Sequence, residues 1–197
     1  MGMCVAIKVN TGFDIVPVPG GNCDFVTLYT YRLVDEDKTA LDDFLNATEV
    51  KQAPDLNRLL GRLERMKDEL GIYDKRVNSW LRDEGNGTSA LWAPIPEDVK
   101  GRYPKPPPGL RLYCFRFDEH EYTCEGEVFR HAPILLLGNG GVKRTRRLYD
   151  DKASRVYKAH REIRQIRKAV NGRFEEGGIW ITDEGFTLKG NLRFETL

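Results

Sequence analysis

Apolar positions along this chain recur with a period of two in some stretches and about 3.6 in others, and turn residues separate the two kinds. Residues 5–9 and 14–18 are strand-like and end at Pro19-Gly20-Gly21-Asn22, which predicts an N-terminal hairpin over residues 1–22. Residues 25–33 are β-branched and aromatic, which predicts a strand. Asp37 or Thr39 then caps a short helix through Asn46, with Leu41, Phe44 and Leu45 on one face. Leu56, Leu59, Leu60, Leu63, Met66 and Leu70 follow at helical spacing, and Gly71 supplies a left-handed stop. Such a stripe is a core face.

Residues 72–89 are polar, with a short helix predicted around residues 77–81, a turn at 83–87 and a new strand from Ala90. The prolines between Tyr103 and Gly109 exclude a helix there and leave a stiff connector. Residues 110–117 alternate, placing Arg111 on one face with Tyr113, as in a central strand. After a polar excursion over 118–132, Ile134-Leu135-Leu136-Leu137 predicts a short strand buried on both faces, ended by Gly138-Asn139-Gly140-Gly141. Asp150 or Asp151 caps a long helix to Val170, with Ala153, Val156, His160, Ile163, Ile166 and Val170 inward and Asn171-Gly172 as its stop. The tail reads as two short strands, 179–182 and 186–194.

Composition bounds the function. A chain of 197 residues with 40% hydrophobic content predicts one domain. No apolar run approaches the roughly 20 residues of a membrane span, and no secretory start is present, which predicts a cytoplasmic protein. Ala6 and Ile7 fail the myristoylation pattern after Gly2. Cys4, Cys23, Cys114 and Cys124 lack C-x-x-C spacing, and His120, His131 and His160 fall at no ligand interval, so neither a metal, another cofactor nor a disulfide framework is expected. The net charge of +1 hides a segregation: residues 143–173 carry twelve Lys and Arg against Asp150, Asp151 and Glu162. Such a block is either a solvated helix face or a phosphate-binding one.

Two segments carry a family likeness. Gly109-Leu110-Arg111-Leu112-Tyr113-Cys114-Phe115-Arg116 resembles the Gly-Tyr-Arg strand of the RelE/HigB-like toxin superfamily. Ile134-Leu135-Leu136-Leu137-Gly138, through Val142-Lys143-Arg144-Thr145-Arg146, resembles that family's next strand and its Lys/Arg-rich turn, with an insertion between the two. The order strand, two helices, three strands, basic helix is similar as well. The resemblance spans about residues 25–170 of a single domain 1–197, leaving 1–22 and 173–197 as extensions. It implies an α+β fold: a twisted, mainly antiparallel sheet with a helical pair on one face and a long basic helix. It further implies the toxin of a toxin-antitoxin pair, a metal-independent endoribonuclease (mRNA interferase) cutting mRNA on the ribosome and silenced by a cognate antitoxin, a small helix-turn-helix protein. By that resemblance Arg111 matches the strand arginine, Lys143 and Arg144 the basic turn, and Tyr149, one position out of register, the tyrosine set against RNA. Lys105 matches the upstream lysines. The chain departs from the family in being longer and near neutral, with no histidine at a matching site.

RNA cleavage by 2′-hydroxyl attack needs a proton acceptor, cations for the phosphorane and a proton for the departing 5′-oxygen. Arginine forks suit the phosphate oxygens, which nominates Arg111 and Arg144, with Arg146 or Arg147 as phosphate anchors. Lys143 is the nominated proton acceptor, its pKa lowered by Arg144 and Arg146. Tyr149 and Tyr113 are placed to stack on a base or orient the nucleotide. The rival reading is a non-catalytic member of the same fold that binds RNA or a protein partner through this surface, or an interaction helix for an acidic partner. A phosphate-loop reading of residues 138–143 fails, because the Walker spacing and the Ser/Thr after Lys are absent.

Overall fold

A seven-stranded sheet is the middle layer of the computed structural model, which describes residues 12–22, 25–93, 109–117, 122–124, 127–129, 132–144, 150–182 and 186–195. The elements are β1 (Phe13–Asn22), β2 (Thr27–Leu33), α1 (Ala40–Asn46), α2 (Thr48–Lys51), α3 (Leu56–Arg65) with a π turn Met66–Leu70, and α4 (Lys75–Asn78). Then come β3 (Leu81–Gly85), β4 (Thr88–Leu91), β5 (Gly109–Arg116), β6 (Tyr122–Cys124), β7 (Glu127–Phe129) and β8 (Ile134–Lys143). The chain ends with α5 (Arg155–Glu175), β9 (Ile179–Thr182), β10 (Thr187–Gly190) and β11 (Arg193–Phe194). Sheet order is β11-β1-β2-β8-β5-β4-β3, with β2 and β8 parallel and every other neighbouring pair antiparallel. The α+β class and the mainly antiparallel sheet are therefore as the sequence predicts.

The period of two on β5 decides which helices cover which face. Leu110, Leu112 and Cys114 share a core with Leu41, Phe44, Leu59, Met66 and Val77 from α1 to α4. Tyr113, Phe115 and Phe117 point the other way and share a core with Val156, Ala159, Ile163, Ile166 and Val170 of α5. Thr39 opens α1 with a full capping box: its hydroxyl accepts from Asp42 N, and the Asp42 carboxylate accepts from Thr39 N. Gly71, at φ 69°, ends the helical stretch as predicted.

Several expectations are corrected. Residues 5–9 of the predicted hairpin lie outside the described residues, and β1 is a full member of the sheet, hydrogen-bonded to β2 and β11, because Phe13 and Ile15 alternate into the α5-side core. The predicted stop at residues 138–141 is instead the middle of β8. Those glycines allow close packing; a Cβ on Gly140 would collide with the Arg111 carbonyl of the neighbouring strand. A polar edge strand, β3, occupies the stretch predicted as a turn, and the turn itself is confined to Asn86 and its flanking glycines. Ser154, rather than Asp150 or Asp151, caps α5, its hydroxyl accepting from Tyr157 N. The helix runs through Asn171-Gly172 to Glu175 because its last turn is held from outside. Arg173 lies over the Phe194 ring at 4.5 Å, and Phe194 stacks on Phe13 at 4.3 Å. The tail thus makes three strands: the hairpin β9-β10, and β11 on the sheet edge.

Candidate functional site

β3, β5, β8 and α5 converge their polar side chains in one place. Register aligns Arg82 of β3, Ala90 of β4 and Tyr113 of β5 across the sheet, and sets Gly109 and Arg111 opposite Lys143 and Gly141. The side chains at 82, 111, 113 and 143 therefore share the α5 side. Glu84, two residues after Arg82, joins them: its Oε1 is 4.0 Å from Arg111 Nε and 3.9 Å from Arg82 Nε. From α5, His160 tilts its ring against Tyr113 with centroids 5.2 Å apart.

Hydrogen bonding in this cluster is incomplete. Among the described residues four buried side-chain atoms have no hydrogen-bond partner, and all four are here: Glu84 Oε1, Arg111 Nε, Tyr113 Oη and His160 Nε2. Buried polar groups in folded proteins are paired almost without exception, so four unpaired ones in one cluster mark it as a place where more than packing is at stake. Two are donors and two accept once the other imidazole nitrogen bonds the Glu84 main chain.

Electrostatics sets the protonation states. Burial lowers the Lys143 pKa from its usual value; Glu84 opposes this and Arg111 and Arg82 add to it. The direction is the one expected from the sequence, but among the described residues its causes are burial, Arg111 and Arg82 rather than Arg144, and Arg146 lies outside those residues. Burial, then Arg164, lowers the pKa of His160, with Lys143 adding and the Glu84 hydrogen bond opposing, which favours the neutral imidazole. Tyr113 is pushed well above the ordinary phenol value, first by burial and then by Glu84. Arg111 is lowered by burial yet remains a cation, as arginine does in proteins.

Arg111 is held by its own strand and by Trp92 as well as by Glu84. Its Nη1 donates to Leu110 O at 2.8 Å and its guanidinium lies over Trp92 at 5.5 Å. Arg62 faces the same indole at 5.4 Å and Trp80 at 5.2 Å, so a ladder of arginine and tryptophan extends from the site toward α3. Beneath it the buried Asp55 carboxylate accepts from Leu110 N at 2.8 Å.

Of the residues nominated from the sequence, Arg111, Tyr113 and Lys143 come together. Arg144 does not join them: one residue beyond β8, it is 70% exposed and pairs with Glu49 of α2 at 3.6 Å. Tyr113 has no exposed surface, so its ring is closed to a stacked base. Lys105, Arg146, Arg147 and Tyr149 lie outside the described residues. Sequence reasoning missed Glu84 and treated His160 as core only. The available signals were the Arg82-Glu84 alternation of an edge strand and an imidazole on an otherwise apolar stripe.

Beside the cluster, Arg161, Arg164, Arg167 and Lys168 of α5 line a groove of about 650 Å³ facing the β3-β4 turn at Asn86. Among the described residues no His, Cys, Asp and Glu grouping of metal-site size occurs, and no helix is long and apolar enough to cross a membrane. No protein family, curated protein or solved structure matches this chain.

Proposed function

We propose that this chain is an endoribonuclease of the RelE/HigB type, the toxin of a toxin-antitoxin pair, cutting mRNA on the ribosome until its antitoxin binds. The observation that carries this reading is the meeting of Arg111, Lys143 and Tyr113 on one side of the sheet, with Arg82 and Lys143 at its rim. Lys143, its pKa lowered, takes the 2′-hydroxyl proton. The 2′-oxygen bonds to phosphorus, Arg111 and Arg82 face the phosphorane charge, and the P–O5′ bond breaks as the 5′-oxygen takes a proton from solvent. The products are a 2′,3′-cyclic phosphate and a 5′-hydroxyl, and no step calls for a metal.

A second reading, RNA or protein binding without cleavage, is favoured by the carboxylates beside the two nominated arginines: Glu84 at Arg111 and Glu49 at Arg144. Growth separates the two. Induced wild-type chain arrests a bacterial host, Arg144→Gln arrests it too, and Arg111→Gln with Lys143→Gln does not. Equal tolerance of wild type and the double variant, at equal protein levels, supports binding alone.

A further inference from the structure

We infer that the groove along α5 is a track for the sugar-phosphate backbone of single-stranded RNA, continuous with the site of the proposed nuclease. The inference rests on that reading for its substrate class and on separate residues for its evidence. Arg161, Arg164 and Lys168 lie on one side of α5, spanning about 10 Å at helical rise. Among the described residues none of the three is in an ion pair. Arg167 anchors the wall instead, donating to Asn86 O at 2.9 Å.

The lining decides the occupant. Besides the cations, the described residues of the lining offer the amide of Gln165, one acid, Glu175, at its end, and no apolar side chain. A protein segment binding there would find no pocket for the hydrophobic or aromatic anchor that usually carries such an interface. A nucleic-acid backbone needs none: guanidinium forks and a lysine ammonium take its phosphates. The concave, single-helix geometry admits one strand, whereas a duplex presents its phosphates on a broad convex surface.

Shared walls tie track to site. α5 carries Arg164 one turn after His160, and Arg164 is among the charges that lower the His160 pKa. The β3-β4 hairpin carries Asn86 at the groove and Glu84 in the cluster. A strand on the track thus arrives beside Arg82 and Lys143.

The test is fluorescence anisotropy with a fluorescein-labelled, fully 2′-O-methylated oligouridylate, which cannot be cleaved by 2′-hydroxyl attack. Wild type is compared with Arg161→Gln/Arg164→Gln/Lys168→Gln and with a triple variant of equal charge on the far layer, Lys51→Gln/Arg58→Gln/Lys75→Gln. The track variant should bind at least tenfold more weakly, with a log-log salt slope shallower by about two, as three lost phosphate contacts at roughly 0.7 each require. The far-layer variant should bind as wild type does. Equal affinity of wild type and track variant, equal losses in both triple variants, or equally tight binding of a duplex would overturn the track, as would a polyglutamate peptide whose binding alone depends on these residues. If the track variant binds weakly while wild-type chain cleaves no RNA, the nuclease reading fails and the track stands. If wild type cleaves and the track variant keeps its KM, the reverse holds.

Discussion

The two faces of the sheet are built from the same strands but to different standards. On the α1 to α4 face the buried polar side chains among the described residues are satisfied: Asp55 takes the Leu110 amide and the Thr30 hydroxyl takes the Leu41 amide. On the α5 face the Tyr31 hydroxyl donates to Glu162, and Arg155 bonds Gly140 O and Asp43 O at 3.0 and 2.8 Å. Yet Glu84, Arg111, Tyr113 and His160 on that face keep atoms without a hydrogen bond, Glu84 and Arg111 meeting only as an ion pair at 4.0 Å. A buried polar atom without a partner costs roughly 1–3 kcal/mol, so one layer is organised for stability and the other tolerates a cost where the candidate chemistry lies.

Substitutions can break this contrast, and the largest effect is expected on the satisfied face. Leu112→Ala, at a position with no exposed surface, should lower stability by about 2–5 kcal/mol in urea titration and leave RNA affinity unchanged. Asp55→Ala leaves the Leu110 amide buried and unpaired and should cost about 1–3 kcal/mol by the same measurement. The α5 face should respond to pH. Because the folded His160 pKa lies below the ordinary imidazole value of about 6.5, the unfolded chain binds a proton that the folded chain refuses in the interval beneath it. Stability should therefore fall as pH drops through that interval, and His160→Gln should flatten the difference between urea midpoints at pH 7.5 and 5.5. The smallest effect belongs to Tyr113→Phe, which removes an unpaired hydroxyl and should be neutral or stabilising within about 1 kcal/mol. A loss comparable to Leu112→Ala would show that this hydroxyl is satisfied and that the faces are alike.

The sequence made the satisfied face legible and the other only partly so. Leu56 to Leu70 and the alternation of Leu110, Leu112 and Cys114 state their periods plainly, because helix and strand there bury a uniform apolar stripe. Arg111 and Tyr113 were legible for the same reason, because an alternating strand assigns its faces, whereas Lys143 was nominated as part of a basic turn and is in fact the last residue of β8. Glu84 was hidden because β3 is an edge strand with a polar sequence, Leu-Arg-Asp-Glu-Gly, which reads as a turn until a neighbour pairs with it. Four residues of β8, Gly138 to Gly141, read as a terminator because glycine usually is one, whereas here close approach to Arg111 demands it. Arg144 was grouped with Lys143 by adjacency, but Glu49, nearly a hundred residues earlier, claims it.

Cleavage of RNA at the Arg111 cluster is tested most directly with purified chain, ribosomes and an end-labelled mRNA, comparing wild type with Arg111→Ala after both are shown to be folded. Wild type should cut, leaving a 2′,3′-cyclic phosphate, and the variant should cut at least 100-fold more slowly, the order expected for losing one group that stabilises the transition state. An intact mRNA with wild type, or equal cutting by Arg111→Ala, would contradict the account.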